Sequence, residues 1–174
     1  MVAGSILPIT IHNNKLYFLF GKENILEKSA KGWSDFGGGC EKNETPFAAA
    51  IREGSEELTG FLGDEKQIKA MVKKGGIYKM VYKDYHVHMF YMKYDENLPK
   101  YYNANHHFIW DRMDHKLLGD TRIFEKIEID WFTLEDMLKR KDEFRNFYRV
   151  IVGKILKDAE NIYRFAYTKS FGQR

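Results

Sequence analysis

Along the chain, hydrophobic and polar positions first alternate and then recur at helical spacing. Ser5 to Ile11 and Lys15 to Phe20 are β-rich runs joined by His12-Asn13-Asn14. Asparagine tolerates the left-handed backbone of tight turns, so an opening antiparallel hairpin is expected. Trp33 to Phe36 is a short aromatic strand candidate that runs into Gly37-Gly38-Gly39, where little side chain would separate backbone from ligand. Thr45-Pro46 then signals a helix start, since threonine caps and proline suits the first helical position. The helical pattern continues to about Leu58, and Thr59-Gly60 ends it. Ala48, Ile51, Ser55 and Leu58 are expected to pack on a sheet, with Glu53, Glu56 and Glu57 looking outward together.

Ile68 to Lys73, Ile77 to Tyr82 and Tyr85 to Tyr94 read as further strands, parted by Gly75-Gly76 and Lys83-Asp84. His86 and His88 would share a strand face roughly 7 Å apart, as a metal pair or as hydrogen-bonded sheet histidines. Leu98 to Leu118, with His106-His107, Trp110 and His115, is weakly periodic and reads as an irregular insertion with a short helix. Ile123 to Phe132 reads as a strand, and Thr133 with Asp136 as a capping box for a short helix through Lys139. From Asp142 onward Phe144, Phe147, Tyr148, Ile151, Val152, Ile155, Leu156, Ala159, Ile162 and Tyr163 keep a helical stripe. A C-terminal helix over about 142–168 is therefore expected to pack on the domain. Arg145 and Arg149 lie at its margin, where aromatic and basic residues together could also form an RNA-stacking surface.

The length of 174 residues, 44% of them hydrophobic, allows one well-buried core, so a single domain over residues 1–174 is expected. With 28 basic and 25 acidic residues the net charge is +3, too balanced to select nucleic acid as a partner. Cys40 is the sole cysteine, which excludes an intrachain disulfide and fits a reducing compartment. MVAGSILPITI lacks the regions of a signal peptide, and no run approaches the roughly 20 apolar residues of a membrane span. A soluble, intracellular, cytoplasmic protein with no membrane partner is expected.

Like charges at i,i+3 and i,i+4 cost a few tenths of a kcal/mol each, so gathering Glu53, Glu56 and Glu57 implies a cation that relieves them. Carboxylates at this spacing form a hard oxygen cluster suited to Mg²⁺ or Mn²⁺, which also bridge phosphates. Gly38, five residues, Glu44, seven residues, then Arg52-Glu53-Gly54-Ser55-Glu56-Glu57 resemble the Nudix box. That signature marks hydrolases of nucleoside diphosphates linked to another group. The resemblance implies an α/β fold, a Nudix-type α/β/α sandwich with a mixed β-sheet. It implies metal ligation by Glu56 and Glu57, with Glu53 a further ligand or a base toward water. Arg52 would orient Glu44 or Glu53, and the backbone carbonyl near Gly38 would reach the metal. Without the upstream spacing, the same acids would read as a solvated helix face with a salt-bridged Arg52.

Gly54 stands where the family carries a bulky aliphatic residue, and a helical glycine costs about 1 kcal/mol relative to alanine. At Leu58-Thr59-Gly60 one residue is inserted before the glycine of the box, and Phe36 replaces a frequent proline. Downstream, FEKIEIDWFTLEDM (residues 124–137) resembles the late strand and short helix of Nudix domains, including the mRNA-decapping branch. There a glutamate six residues before the tryptophan completes the metal site or serves as base. Glu125 holds that position, with Asp120 and Glu128 as competitors.

The resemblance thus implies a metal-dependent pyrophosphohydrolase of a nucleoside diphosphate-containing substrate. Capped RNA is one candidate, from the similarity around Glu125 and the basic Lys139, Arg140, Lys141 and Arg145. Nucleotide sugars, dinucleoside polyphosphates, inositol pyrophosphates and noncanonical nucleotides are others. Trp33, Phe36, Tyr85 and Trp110 could stack on a base or pack internally. The rival class is a non-catalytic Nudix-like module that binds nucleotide or RNA.

Overall fold

The computed structural model describes residues 1–26, 31–121 and 124–171, without the side chains of 119–121. Strands β1 (Ala3–His12) and β2 (Lys15–Glu23) form the expected hairpin. Asn13 and Asn14 turn it with φ of 48° and 60°, the left-handed pair that matches strand twist. Trp33 to Gly39 splits into β3 (Trp33–Ser34), which pairs with β2, and β4 (Phe36–Gly39), which pairs with β1. β5 (Tyr78–Tyr82) and β6 (Tyr85–Tyr91) form a second hairpin, and β6 runs parallel to β1. β7 (Lys126–Thr133) pairs antiparallel with β2. One edge of β1 is therefore shared, by β4 along Ala3 to Ile6 and by β2 along Ile9 to His12. The result is a mixed sheet in the order β3-β2-β1-β6-β5 with β4 and β7 attached.

Alternation along β1 and β2 sends residues to two cores. Leu7, Ile9, Phe18 and Phe20 pack under Tyr148, Ile151, Val152 and Ile155, whereas Ile6 and Leu19 face Ala50, Ile51, Leu58, Ile68 and Val72. Helices thus cover both faces, giving the expected α/β/α sandwich.

Three expected elements differ. Ile68 to Lys73 lies inside helix α2 (Glu65–Gly75), started by an Asp64–Gln67 capping box. Its buried residues, Ile68 and Val72, are four apart, a period that six residues cannot distinguish from that of a strand. Leu98 to Leu118 forms helices α3 (Asn97–Trp110) and α4 (His115–Thr121) rather than an irregular insertion. The buried stripe of α3 is Leu98, Tyr102 and His106, whose polar atoms hide the period from a hydrophobicity count. The C-terminal stripe is carried by two helices, α6 (Tyr148–Lys157) and α7 (Ala159–Phe171). They break at Asp158, whose carboxylate accepts a 2.5 Å hydrogen bond from the Tyr78 hydroxyl. β7 begins at Lys126, and Ile123 lies outside the described residues. Thr133 and Asp136 do form a capping box, for α5 (Leu134–Lys139).

Candidate active site

Helix α1 (Pro46–Glu57) lies against β1 and β4, with the Thr45 Oγ1 accepting from the Ala48 N–H at 3.2 Å as its cap. Beyond its end Thr59 and Gly60 adopt φ of 48° and 76°. Its inward stripe is not the expected one. Ala50, Ile51, Gly54, Glu57 and Leu58 are buried while Ala48 is exposed, so the helix is turned toward Gly54. A Cβ at Gly54 would overlap Ile6 Cδ1 and stand 2.7 Å from its Cγ1. Ile6 of β1 thus fills the space that the family's aliphatic side chain would take, which accounts for that departure from the box.

The rotation separates the three acids. The Glu56 side chain is 59% exposed, Glu53 18% and Glu57 5%, so they do not look outward together. Glu53 and Glu57, one turn apart, instead run along the glycine strand. A Cβ at Gly38 would stand 2.7 Å from both Glu53 carboxylate oxygens, and the Gly37 N–H donates to Glu57 Oε2 at 2.8 Å. Arg52 continues the series, donating from Nη2 to the Gly39 carbonyl at 3.1 Å. Three glycines in a row let three helix residues dock on bare backbone.

Arg52 also grips Glu44 through Nε at 3.1 Å and Nη2 at 2.9 Å, and Glu53 through Nη1 at 2.7 Å. The same Nη1 lies 3.6 Å from Glu56. Arg52 therefore orients both Glu44 and Glu53, the two partners expected of it. The hydrogen bonds from Arg52 hold the Glu44 carboxyl below its ordinary range.

On the inner side, Lys126 at the start of β7 is fully buried and spends its ammonium on three oxygens. These are Glu23 Oε1 at 2.5 Å, Ser34 Oγ at 2.9 Å and Glu57 Oε1 at 3.3 Å. Arg145 reaches the same Glu23 oxygen at 2.9 Å. Tyr102 of α3 donates to the main-chain carbonyls of both Glu57 and Lys126, at 3.0 and 2.9 Å. Burial pushes the Glu57 carboxyl up while Lys126 pulls it back. Lys126, which burial alone would lower, is held up by the two carboxylates. Nearby, buried Asp35 accepts from Ser5 Oγ and Tyr85 OH, each at 2.5 Å, and burial pushes its carboxyl up to about 6.

Glu125 is half-buried just before β7, its main-chain carbonyl accepting from Asn24 N–H at 2.8 Å. Its charge is among those that push the Glu57 carboxyl up. Glu128 pairs with Lys22 at 3.5 Å instead, and the Asp120 side chain lies outside the described residues. His88 is a sheet histidine with Nδ1 3.1 Å from the Ser5 carbonyl. Trp33 and Phe36 are core residues, Tyr85 is tied to Asp35, and Trp110 stacks on His115 at 4.1 Å. Arg145 is engaged by buried Glu23, and Arg140 pairs with Glu143 at the surface. Sequence reading missed Glu23, Ser34, Tyr102 and Lys126. Lys126 meets Ser34 and Glu23 across 92 and 103 positions, and no local pattern signals such pairs.

The sequence model of the NUDIX domain matches residues 4–152. The chain belongs to the Nudix family. Hydrolases of this family act on phosphoanhydride bonds. A 59-residue stretch, 33% of this chain, is 44% identical to uncharacterized protein L534 of Acanthamoeba polyphaga mimivirus, and it spans only 19% of that protein. Among solved structures the fold is similar to the Ap4A hydrolase of C. elegans, with TM-score 0.51 and 17% identity over 93% of this chain and 99% of that one. It is also similar to the NUDIX domain of Shewanella oneidensis NrtR complexed with ADP ribose, with TM-score 0.51 and 12% identity over 92% and 86% of the two chains. At such identities the likeness concerns the fold.

Nudix hydrolases generally use divalent metal ions. Among the described residues no three His, Cys, Asp or Glu side chains are grouped as a metal cage. The box nevertheless fits such an ion through Glu53 and Glu56, which flank one cationic nitrogen of Arg52 at 2.7 and 3.6 Å. Mg²⁺ is commonly held by one or two carboxylates, with waters and substrate phosphates completing its shell. No helix among the described residues is long and apolar enough to cross a membrane.

Proposed function

We propose that residues 1–174 act as one domain that hydrolyses a nucleoside diphosphate linked to another group, using Mg²⁺ or Mn²⁺. The observation that carries this reading is the convergence of Glu53 and Glu56 on one guanidinium nitrogen beside the side-chain-free Gly38. Glu53, Glu56 and the backbone near Gly38 would hold the ion, with Glu125 and Glu57 beside them. A bound divalent ion would neutralise the diphosphate and acidify a water. Arg52 fixes the direction of Glu53, and Glu53 or Glu125 takes the proton of the attacking water. A cytoplasmic setting is part of the proposal and rests on the single Cys40.

The test is magnesium-dependent turnover across a panel of ADP-ribose, dinucleoside polyphosphates, nucleotide sugars, inositol pyrophosphates, noncanonical nucleotides and capped RNA. The similar structures motivate the first two substrates, and the segment around Glu125 motivates the last. Glu56→Ala should lower kcat/KM at least about 100-fold in a folded protein. Near-normal metal-dependent turnover in that variant would refute the assignment. Tight nucleotide binding without turnover of any panel member would point to the non-catalytic module.

A further inference from the structure

The buried environment of Lys126 has the form of a cation site. Three oxygens from three elements, Glu23 of β2, Ser34 of β3 and Glu57 of α1, surround one point at 2.5, 2.9 and 3.3 Å. Lys126 Nζ occupies that point, hydrogen-bonded to Glu23 and Ser34 and ion-paired with Glu57. Both Glu57 oxygens are engaged, since Oε2 accepts from the Gly37 N–H at 2.8 Å.

Cations already face these carboxylates, Lys126 lying against Glu23 and Glu57 and Arg145 against Glu23. A divalent ion drawn to Glu57 here would have to displace the ammonium or remain beside it uncompensated in a buried place. Tyr102 holds the two backbones that carry the pair, which keeps the geometry in place without a metal. Glu53 and Glu56 differ: their common cation, Arg52, approaches from a partly exposed side.

We propose that the Lys126 ammonium serves as a built-in cation for the last box glutamate, so that Glu57 holds lysine where it would otherwise hold a divalent ion. Ion loading then falls to Glu53 and Glu56. This rests on the proposed metal-dependent function but is separable from it. Lys126 is a positioning residue, acting through Glu57.

The experiment is Mn²⁺ titration of the purified chain, followed by calorimetry and by the electron paramagnetic resonance of free Mn²⁺, with no substrate present. Glu57→Gln keeps the number of bound ions and changes their Kd less than about 3-fold, whereas Glu56→Gln weakens binding at least about 10-fold. Lys126→Met paired with Glu23→Gln removes one charge of each sign and frees Glu57, and it gains one bound ion per chain. Loss of an ion or a 10-fold weakening in Glu57→Gln overturns the inference, because Glu57 would then already be a ligand. Absence of the extra ion in the folded double variant overturns it as well. If the parent chain binds no Mn²⁺ and the double variant binds one, the metal-dependent reading fails while the inference stands. If neither binds, both fail.

Discussion

Gly54→Ala sets two effects of opposite sign against each other. Alanine is the better helix former by about 1 kcal/mol, and α1 is otherwise regular through this position. Against this, the added Cβ would meet Ile6, fully buried in the core of that sheet face, with Cγ1 only 2.7 Å away. Overpacking a tight core costs about 1–3 kcal/mol, since the neighbour can yield only by leaving its rotamer or moving the helix. The net expectation is a loss of about 1 kcal/mol, a fall in Tm of about 2–4 °C for a chain of this size. Urea unfolding of the four members of a cycle isolates the contact. Ile6→Val alone should cost about 0.5–1.5 kcal/mol by loss of one methyl group. The Ile6→Val, Gly54→Ala pair should be more stable than the sum of its singles by at least about 0.5 kcal/mol, because the clash is relieved. A Gly54→Ala protein about 1 kcal/mol more stable than the parent, with additive singles, would show that helix propensity wins and that α1 is not seated by Ile6.

Gly38→Ala drives a methyl group into the Glu53 carboxylate, and should cut turnover about 100-fold through a displacement near 1 Å while shifting Tm little; parent-like turnover would refute the close approach. Arg52→Lys replaces a fork bonded to Glu44, Glu53 and the Gly39 carbonyl with a point charge, and should cost about 2 kcal/mol in urea unfolding along with activity. Asp35 binds its proton more tightly folded than unfolded, with its value raised from 3.8 to about 6, so its ionisation destabilises the fold as pH rises through that interval. Relative to Asp35→Asn, the parent should lose roughly 2 kcal/mol between pH 4 and pH 7, and parallel pH profiles would contradict the burial argument.

The readable parts of this chain are those whose cause is local. Asn13-Asn14 specifies a left-handed turn, Thr45-Pro46 a helix start and Thr133 with Asp136 a capping box, and each forms where it was expected. The spacing from Gly38 to Glu57 likewise places its residues together. What escaped depends on partners distant in sequence. The facing of α1 is set by Ile6, 48 positions before Gly54, and the fate of Glu57 by Lys126 on the last strand. The stripe of α3 is written in Tyr102 and His106, polar residues that become core only because Tyr102 finds two carbonyls and His106 stacks on it at 3.8 Å.

A buried ion pair is a weak source of stability, because desolvating both charges offsets much of their attraction. The Glu57–Lys126 contact therefore needs another account than tightness, and its hydrogen bonds supply one. The ammonium bonds to Glu23 and Ser34 and lies against Glu57 Oε1, while Glu57 Oε2 accepts from the Gly37 N–H, which favours one geometry for the pair. That geometry ties the end of α1 to β7, and acts with the Ile6–Gly54 contact to set the helix roll that leaves Glu56 exposed. Removing only Lys126 would leave buried Glu57 without its cation, at a cost of about 3–5 kcal/mol, and would release the roll of the helix at the same time. Glu57 thus helps to set where Glu56 points, its neighbour in sequence lying about 100° around the helix.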